Sequence, residues 1–238
     1  MIPINTQPIE KRQVSNGSIL DVHSVFYTIQ GEGPFTGHPA VFVRLAGCNL
    51  RCPSCDTDYT SVRDQLTIKE VLVAVNMHYT GTGPNKLVVI TGGEPFRQDL
   101  GFLIQDLNGQ DFHVQIETNG TLPAPLHIDD YDCTIVCSPK AGKIHPEIGY
   151  YADAFKYVLS ADSVDLEDGL PTLALNHTAS PRVARPPEEF DGPIYLQPMD
   201  PGPTETVQYS RNVQACIESC MKHGYILQLQ THKIIGVD

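Results

Sequence analysis

With 238 residues, a formal net charge of −12 and a hydrophobic share of 41%, the chain fits one α/β domain whose core buries roughly 70% of its potential surface. The charge excludes a large phosphate-backbone footprint, since no Lys/Arg run is dense enough to displace many counterions; a small substrate is expected, with no direct nucleic-acid or membrane partner. The start, Met1 to Glu10, lacks the basic and long apolar regions of a secretion signal, no stretch approaches about 18 continuous apolar residues, and the odd count of seven cysteines suits reduced thiols and a cytoplasmic setting.

Met1 to about Ser18 reads as an irregular lead. Ile19 to Ile29, with Val22, Val25 and Phe26, is apolar but alternates imperfectly and predicts a short strand or an extended arm. The turn Gln30-Gly31-Glu32-Gly33-Pro34 breaks it and places an acidic side chain and exposed amides ahead of the next unit. Pro39 to Leu45 is a clearer strand, built on Val41, Phe42 and Val43. Arg44 is out of place there: it is either a solvated edge residue or a guanidinium that reaches a carboxylated ligand.

Directly after this strand, Cys48, Cys52 and Cys55 stand in a C-x3-C-x2-C pattern. A compact loop with this spacing can turn three thiolates toward one point. Gly47 lets backbone come close, Pro53 stiffens the turn and Asn49 can satisfy local amides. Three sulfurs are one short of a closed structural zinc site or an ordinary ferredoxin cluster, and on a [4Fe-4S] cluster they leave one iron open to a small molecule. An oxidised pair plus a free thiol, or a zinc knuckle completed by a distant Cys or His, uses the same residues.

Thr67 caps a helix to about His78, with Glu70 completing a capping box and Ile68, Val71, Leu72 and Val75 forming its apolar face. Lys86 to Thr91 predicts a parallel strand buried on both faces, with Gly92-Gly93-Glu94-Pro95 at its exit. There the glycines bring backbone near a ligand and Glu94 offers a carboxylate to an ammonium. Asp99 to Asn108 is the next helix, packing through Leu100, Phe102, Leu103 and Leu107. Phe112 to Glu117 is a strand leading into Thr118, Asn119 and Gly120. Cys133 to Cys137 is another, its two cysteines on one face as packing thiols, ending in Ser138-Pro139-Lys140.

Phe155 to Leu159 predicts a further strand. From 160 to 192 the pattern fades into an acidic run and dispersed prolines, expected to be a solvated loop serving as lid or insertion. Pro193 to Leu196 restores strand character before Gln197-Pro198-Met199-Asp200. Tyr209 to His223 is a late helix with Cys216 and Cys220 on one core- or dimer-facing side, and Ile226 to Leu229 a final strand before a polar tail ending in Asp238. Polar turns repeated at strand ends predict a partial or modified TIM-like α/β barrel with its site on that face, in a single domain spanning 1–238. No strand-associated G-x-G-x-x-G marks a dinucleotide fold.

The cysteine triplet resembles that of the radical S-adenosylmethionine enzymes, and Gly47 to Thr57 resembles one branch of them, the 7-carboxy-7-deazaguanine synthases. The resemblance implies a [4Fe-4S] cluster on Cys48, Cys52 and Cys55 with S-adenosylmethionine on the open iron. It implies cofactor contacts from Ser54, Cys55, Asp56, Gly93, Glu94, Glu117, Ser138, Pro139, Lys140, Gln197, Pro198, Met199 and Asp200. It assigns substrate contacts to Ile29, Gln30, Gly31, Glu32, Arg44, Thr91 and the terminal Asp238, and Mg2+ to Thr57. The implied reaction is radical ring contraction of 6-carboxy-5,6,7,8-tetrahydropterin to 7-carboxy-7-deazaguanine with loss of ammonia, in queuosine or related deazapurine biosynthesis. An electron donor such as flavodoxin and a homodimer go with it.

Overall fold

A computed structural model describes residues 4–177, 182–202 and 204–237. Strand β1, Ile19–Ile29, pairs antiparallel with β2, Pro39–Leu45, and on its other side with β3, Asp64–Thr67. β3 carries only one apolar residue, Leu66, so periodicity does not announce it. Helix α1, Ile68–His78, starts as expected: Thr67 Oγ1 accepts from the Glu70 amide at 3.3 Å, and Glu70 Oε2 accepts from the Thr67 amide at 2.8 Å. This reciprocal cap satisfies two backbone donors that the first turn leaves unpaired.

The elements then follow in the order β4 Lys86–Gly92, α2 Gly101–Asn108, β5 Phe112–Thr118, β6 Cys133–Cys137, α3 Pro146–Tyr151 and β7 Ala154–Leu159. β8 Ile194–Pro198, α4 Thr206–His223, β9 Ile226–Leu227 and α5 Thr231–Ile235 complete the chain. The sheet order is β3-β1-β2-β4-β5-β6-β7-β8-β9, parallel from β2 onward. Among the described residues β9 and β3 do not pair, so the barrel is partial. The sheet still curls far enough for Gln228, just past β9, to reach the turn after β1. There its Oε1 accepts from the Gly33 amide at 2.8 Å and its Nε2 donates to Thr36 Oγ1 at 2.9 Å.

Strand alternation sorts the side chains into two faces. Val41, Val43, Leu45, Val88, Ile90, Val114, Ile116, Phe155, Tyr157 and Leu159 face the helices and form the main core. Burying each such side chain stabilises the fold by about 1.5–3 kcal/mol, which leaves no place for a charge on that face. The alternate positions, Arg44, Thr91, Glu117, Lys156 and Gln197, turn inward to the barrel. Because β2 lies between β1 and β4, Arg44 is an interior residue and the solvated-edge alternative is excluded.

Other expectations are revised. Phe102 is 53% exposed and does not pack α2. α4 begins at Thr206, and β9 has two residues, the Gln228 amide giving a last hydrogen bond to the Leu196 carbonyl at 2.8 Å while its side chain makes the contacts above. α3 and α5 are too short for a helical period to show. The segment after β7 is anchored rather than a solvated loop: Leu170, Ala174 and Val183 are buried in the main core. Its acidic run has internal partners, with Arg185 donating to Asp168 from Nε at 2.7 Å and from Nη2 at 3.0 Å, and Arg182 to Asp165 at 2.5 Å. Cys137 is buried and Cys133 packs beside the same core, as expected of packing thiols.

Candidate active site

The inward side chains and strand-end turns enclose a cavity of about 390 Å³, large enough for small-molecule ligands. One wall is the cysteine loop. The chain leaves β2 through Gly47, whose φ of +84° is left-handed and whose missing Cβ makes room for the Arg97 guanidinium. At the exit of β4, a Cβ on Gly93 would run into the Gly47 carbonyl, so the two turns pack only as glycines. Cys48 and Cys52 are buried, Cys55 is half-buried, and all three line the cavity.

Burial pushes the Cys48 thiol up to about 12 and Cys52 to about 11, and raises Cys55 as well. As bare groups they are therefore protonated near neutral pH, whereas a bound metal stabilises the thiolates. Among the described residues no three His, Cys, Asp or Glu side chains are grouped to hold a single ion. The three thiols share one wall and lie close enough to feel one another's charge. That arrangement suits a polynuclear cluster, in which each cysteine takes a different iron.

The opposite wall is charged. Lys156, 5% exposed, hydrogen-bonds to Glu32 Oε2 and lies 3.8 Å from Glu117 Oε2. Glu117 Oε1 accepts from Gln30 Nε2 and Gln115 Nε2 at 3.0 Å each, and Glu32 Oε1 accepts from Gln230 Nε2 at 2.8 Å. Burial works to raise the Glu32 carboxyl, but the Lys156 charge and hydrogen bond outweigh it and the net shift is downward. Burial works to lower Lys156, and Glu117 and Glu32 reverse that. Next to this pair, the Arg44 guanidinium sits 5.2 Å over the Phe26 ring, which stacks on Phe42 at 5.3 Å. Among the described residues, the buried Arg44 Nε finds no hydrogen-bond partner.

α5 closes the mouth. Thr231 donates its amide to the Gly31 carbonyl at 3.2 Å, and Lys233 Nζ donates to Asp56 Oδ2 at 3.0 Å and Asp200 Oδ2 at 2.9 Å. Lys140 Nζ turns back to Ser138, donating to its carbonyl at 2.8 Å and its hydroxyl at 2.5 Å. Burial lowers the Lys140 pKa, with nearby Cys52 opposing that shift.

Most of the predicted site residues meet here. Ile29, Gln30, Glu32, Arg44 and Thr91 line the cavity, as do Ser54, Asp56, Thr57, Gly93, Glu117, Ser138, Lys140, Gln197 and Asp200. Gly31, Glu94, Pro139, Pro198 and Met199 do not line it, and Asp238 lies outside the described residues. Glu94 is set just outside the lining by its own partners. It is fully buried, accepting from Thr118 Oγ1 at 2.6 Å, the Phe96 amide at 3.1 Å and the Asn119 amide at 2.7 Å. Its carboxylate ties the exits of β4 and β5 together. Met199 turns its backbone to Leu159 and Asn212.

Sequence reasoning missed Lys156, Gln230 and Leu175 as lining residues, and read His232 and Lys233 as part of a polar tail. Lys156 carried the signal that drew attention to Arg44, a cation inside an apolar strand. Gln230 and Lys233 carried none, because they reach the site only through the fold of α5.

A sequence profile of the Radical SAM superfamily matches residues 43–132. The 7-carboxy-7-deazaguanine synthase of Rhodospirillum rubrum is 41% identical over 230 residues, covering 93% of this chain and 94% of the relative. That of Rickettsia prowazekii is 38% identical, covering 94% of this chain and 91% of the relative. The crystal structure of QueE from Escherichia coli superposes with a TM-score of 0.66 at 25% identity, covering 89% of this chain and 93% of that one. Radical enzymes of this superfamily work with a [4Fe-4S] cluster and S-adenosylmethionine, and a cavity lined by three thiols fits such a group. The chain belongs to the 7-carboxy-7-deazaguanine synthase family of radical S-adenosylmethionine enzymes.

Proposed function

We propose that the cavity holds the [4Fe-4S] cluster on Cys48, Cys52 and Cys55, and S-adenosylmethionine along the Gly93, Ser138–Lys140 and Gln197–Asp200 turns. Against the charged wall it takes 6-carboxy-5,6,7,8-tetrahydropterin and converts it to 7-carboxy-7-deazaguanine with loss of ammonia. One observation carries this reading: a single cavity is lined by the three clustered thiols and by Arg44, whose buried Nε lacks a partner among the described residues. When bound, the cluster and S-adenosylmethionine supply a 5'-deoxyadenosyl radical.

The chain's own residues hold and orient. Arg44, braced on Phe26, pairs with the substrate carboxylate. Glu32, kept ionised by Lys156, and Glu117 next to it accept hydrogen bonds from the N–H edge of the pterin. Thr57 offers one oxygen to Mg2+, which draws the rest of its shell from substrate and water. The stacked Phe26–Phe42 pair and α5 keep water from the reacting carbon and hold it in one pose. A flavodoxin-type donor, a homodimer and a reducing cytoplasm complete the proposal, in keeping with seven free cysteines.

The test is anaerobic reconstitution followed by mass analysis of the products from the tetrahydropterin, S-adenosylmethionine, Mg2+ and a strong reductant. The deazapurine is expected from the parent, while Cys48→Ala, Cys52→Ala and Cys55→Ala each reduce 5'-deoxyadenosine to background. Normal turnover in any of these variants would overturn the ligand set. Cofactor cleavage without deazapurine would assign the cavity another substrate.

A further inference from the structure

Residues 5–10, within the stretch from Met1 to about Ser18 expected as an irregular lead, are stitched to the cysteine loop. The Asn5 amide donates to the Pro53 carbonyl at 2.9 Å, and its side chain donates to the Cys52 carbonyl and to Tyr59 Oη, both at 3.2 Å. Gln7 Nε2 donates to the Thr57 carbonyl at 2.9 Å, while Gln7 Oε1 accepts from the Tyr59 amide at 2.8 Å. Ile9 bridges Cys48, and the Glu10 amide donates to the Cys48 carbonyl at 2.7 Å. Glu10 then pairs with Arg97 at 3.1 Å, the buried guanidinium that packs against Gly47.

These contacts are not a by-product of hydrophobic packing. Ile4 is 77% exposed and Ile9 59% exposed, so the arm's large apolar side chains face away while its polar groups engage the loop. The carbonyls it holds, those of Cys48, Cys52, Pro53 and Thr57, belong to the segment whose side chains line the cavity. We propose that residues 5–10 are a clamp that positions the cysteine loop for its cluster and shields the loop's outer side, so that docking of the arm sets how tightly the cluster is retained. The proposal rests on reading that loop as the cluster-binding loop. Held by a few hydrogen bonds, the arm opens locally at far lower free energy than the sheet does, and each opening frees the loop.

Two measurements on an Asn5→Ala/Gln7→Ala variant test it. In the reconstituted enzyme, release of iron to an excess of ferrous chelator should speed up about 10-fold, the effect of losing two or more such bonds. In the apo form, alkylation by iodoacetamide, read by mass spectrometry, should accelerate at Cys48 and Cys52 but not at Cys137 and Cys216, which are fully buried in the main core. Iron release at the parent rate, or labelling that is unchanged or accelerates equally at all four cysteines, overturns the clamp. A parent chain that takes up no cluster overturns the ligand reading and the clamp together. A parent that holds its cluster beside variants that behave identically overturns the clamp alone.

Discussion

The two walls of the cavity hold polar groups inside the protein in opposite ways. On the charged wall, Lys156 compensates Glu32 and Glu117 directly, and glutamines fill the remaining acceptor positions. On the cysteine wall the groups that line the cavity are thiols, neutral when buried, and the hydrogen bonds that shape the loop run through its backbone to Asn5, Gln7 and Glu10. The charged wall is therefore organised by its own electrostatics, and desolvation is its main cost. The cysteine wall is organised from behind, leaving its reactive atoms free for a ligand. The difference teaches which wall should fail by unfolding and which by losing its cofactor.

Lys156→Met should break the first wall hardest. It leaves two carboxylates buried without a cation, and the expected loss is about 3–5 kcal/mol in urea denaturation of the apo-protein. A loss below about 1 kcal/mol would mean that water already screens the pair and that the two walls are alike. The pH dependence sharpens this. The folded-state pKa of Glu32 lies below its ordinary 4.5, so it contributes stability above that pH and loses it as pH falls toward the folded value. In Lys156→Met only the Gln230 hydrogen bond and the His232 charge still oppose burial at Glu32, so the stability lost on acidification should shrink.

Arg44→Ala comes next. Removing a charged hydrogen-bond partner should raise KM for the carboxylated pterin about 10- to 100-fold, while iron content stays at the parent level. Arg44→Lys should recover part of the loss, since a point charge replaces the fork. Loss of iron, or an unchanged KM, would count against a substrate role for this residue. Lys233→Ala should act least. Its side chain is 37% exposed, so the bridge to Asp56 and Asp200 is screened, and KM for S-adenosylmethionine should rise by less than about threefold. The same change should follow from adding salt to the parent; a tenfold effect insensitive to salt would make α5 an integral part of the cavity.

Much of the site was legible from residue order because parallel strands deliver their exits to one side of a sheet. The Gly92-Gly93, Glu117-Thr118, Ser138–Lys140 and Gln197–Asp200 turns all arrive there. Residue order is silent where a turn offers two directions. At the β4 exit Gly92 and Gly93 line the cavity, while Glu94 is fully buried and turned to three donors from neighbouring segments. Nothing in a Gly-Gly-Glu-Pro string sets that direction. The segment after β7 misled for a related reason: its acidic residues look solvated until Arg182 and Arg185 fold back onto them.

By itself the sequence determined whatever depends on neighbours within a turn or a strand: the Thr67–Glu70 cap, the two-residue alternation that turns Arg44 away from the helices, and the spacing of Cys48, Cys52 and Cys55. Only the tertiary structure decided which charges compensate one another. Lys156 meets Glu32 from 124 positions away, and Asn5 meets the cysteine loop from 47. Burial and partner choice arise when distant segments displace water between them, and local sequence does not encode that distance.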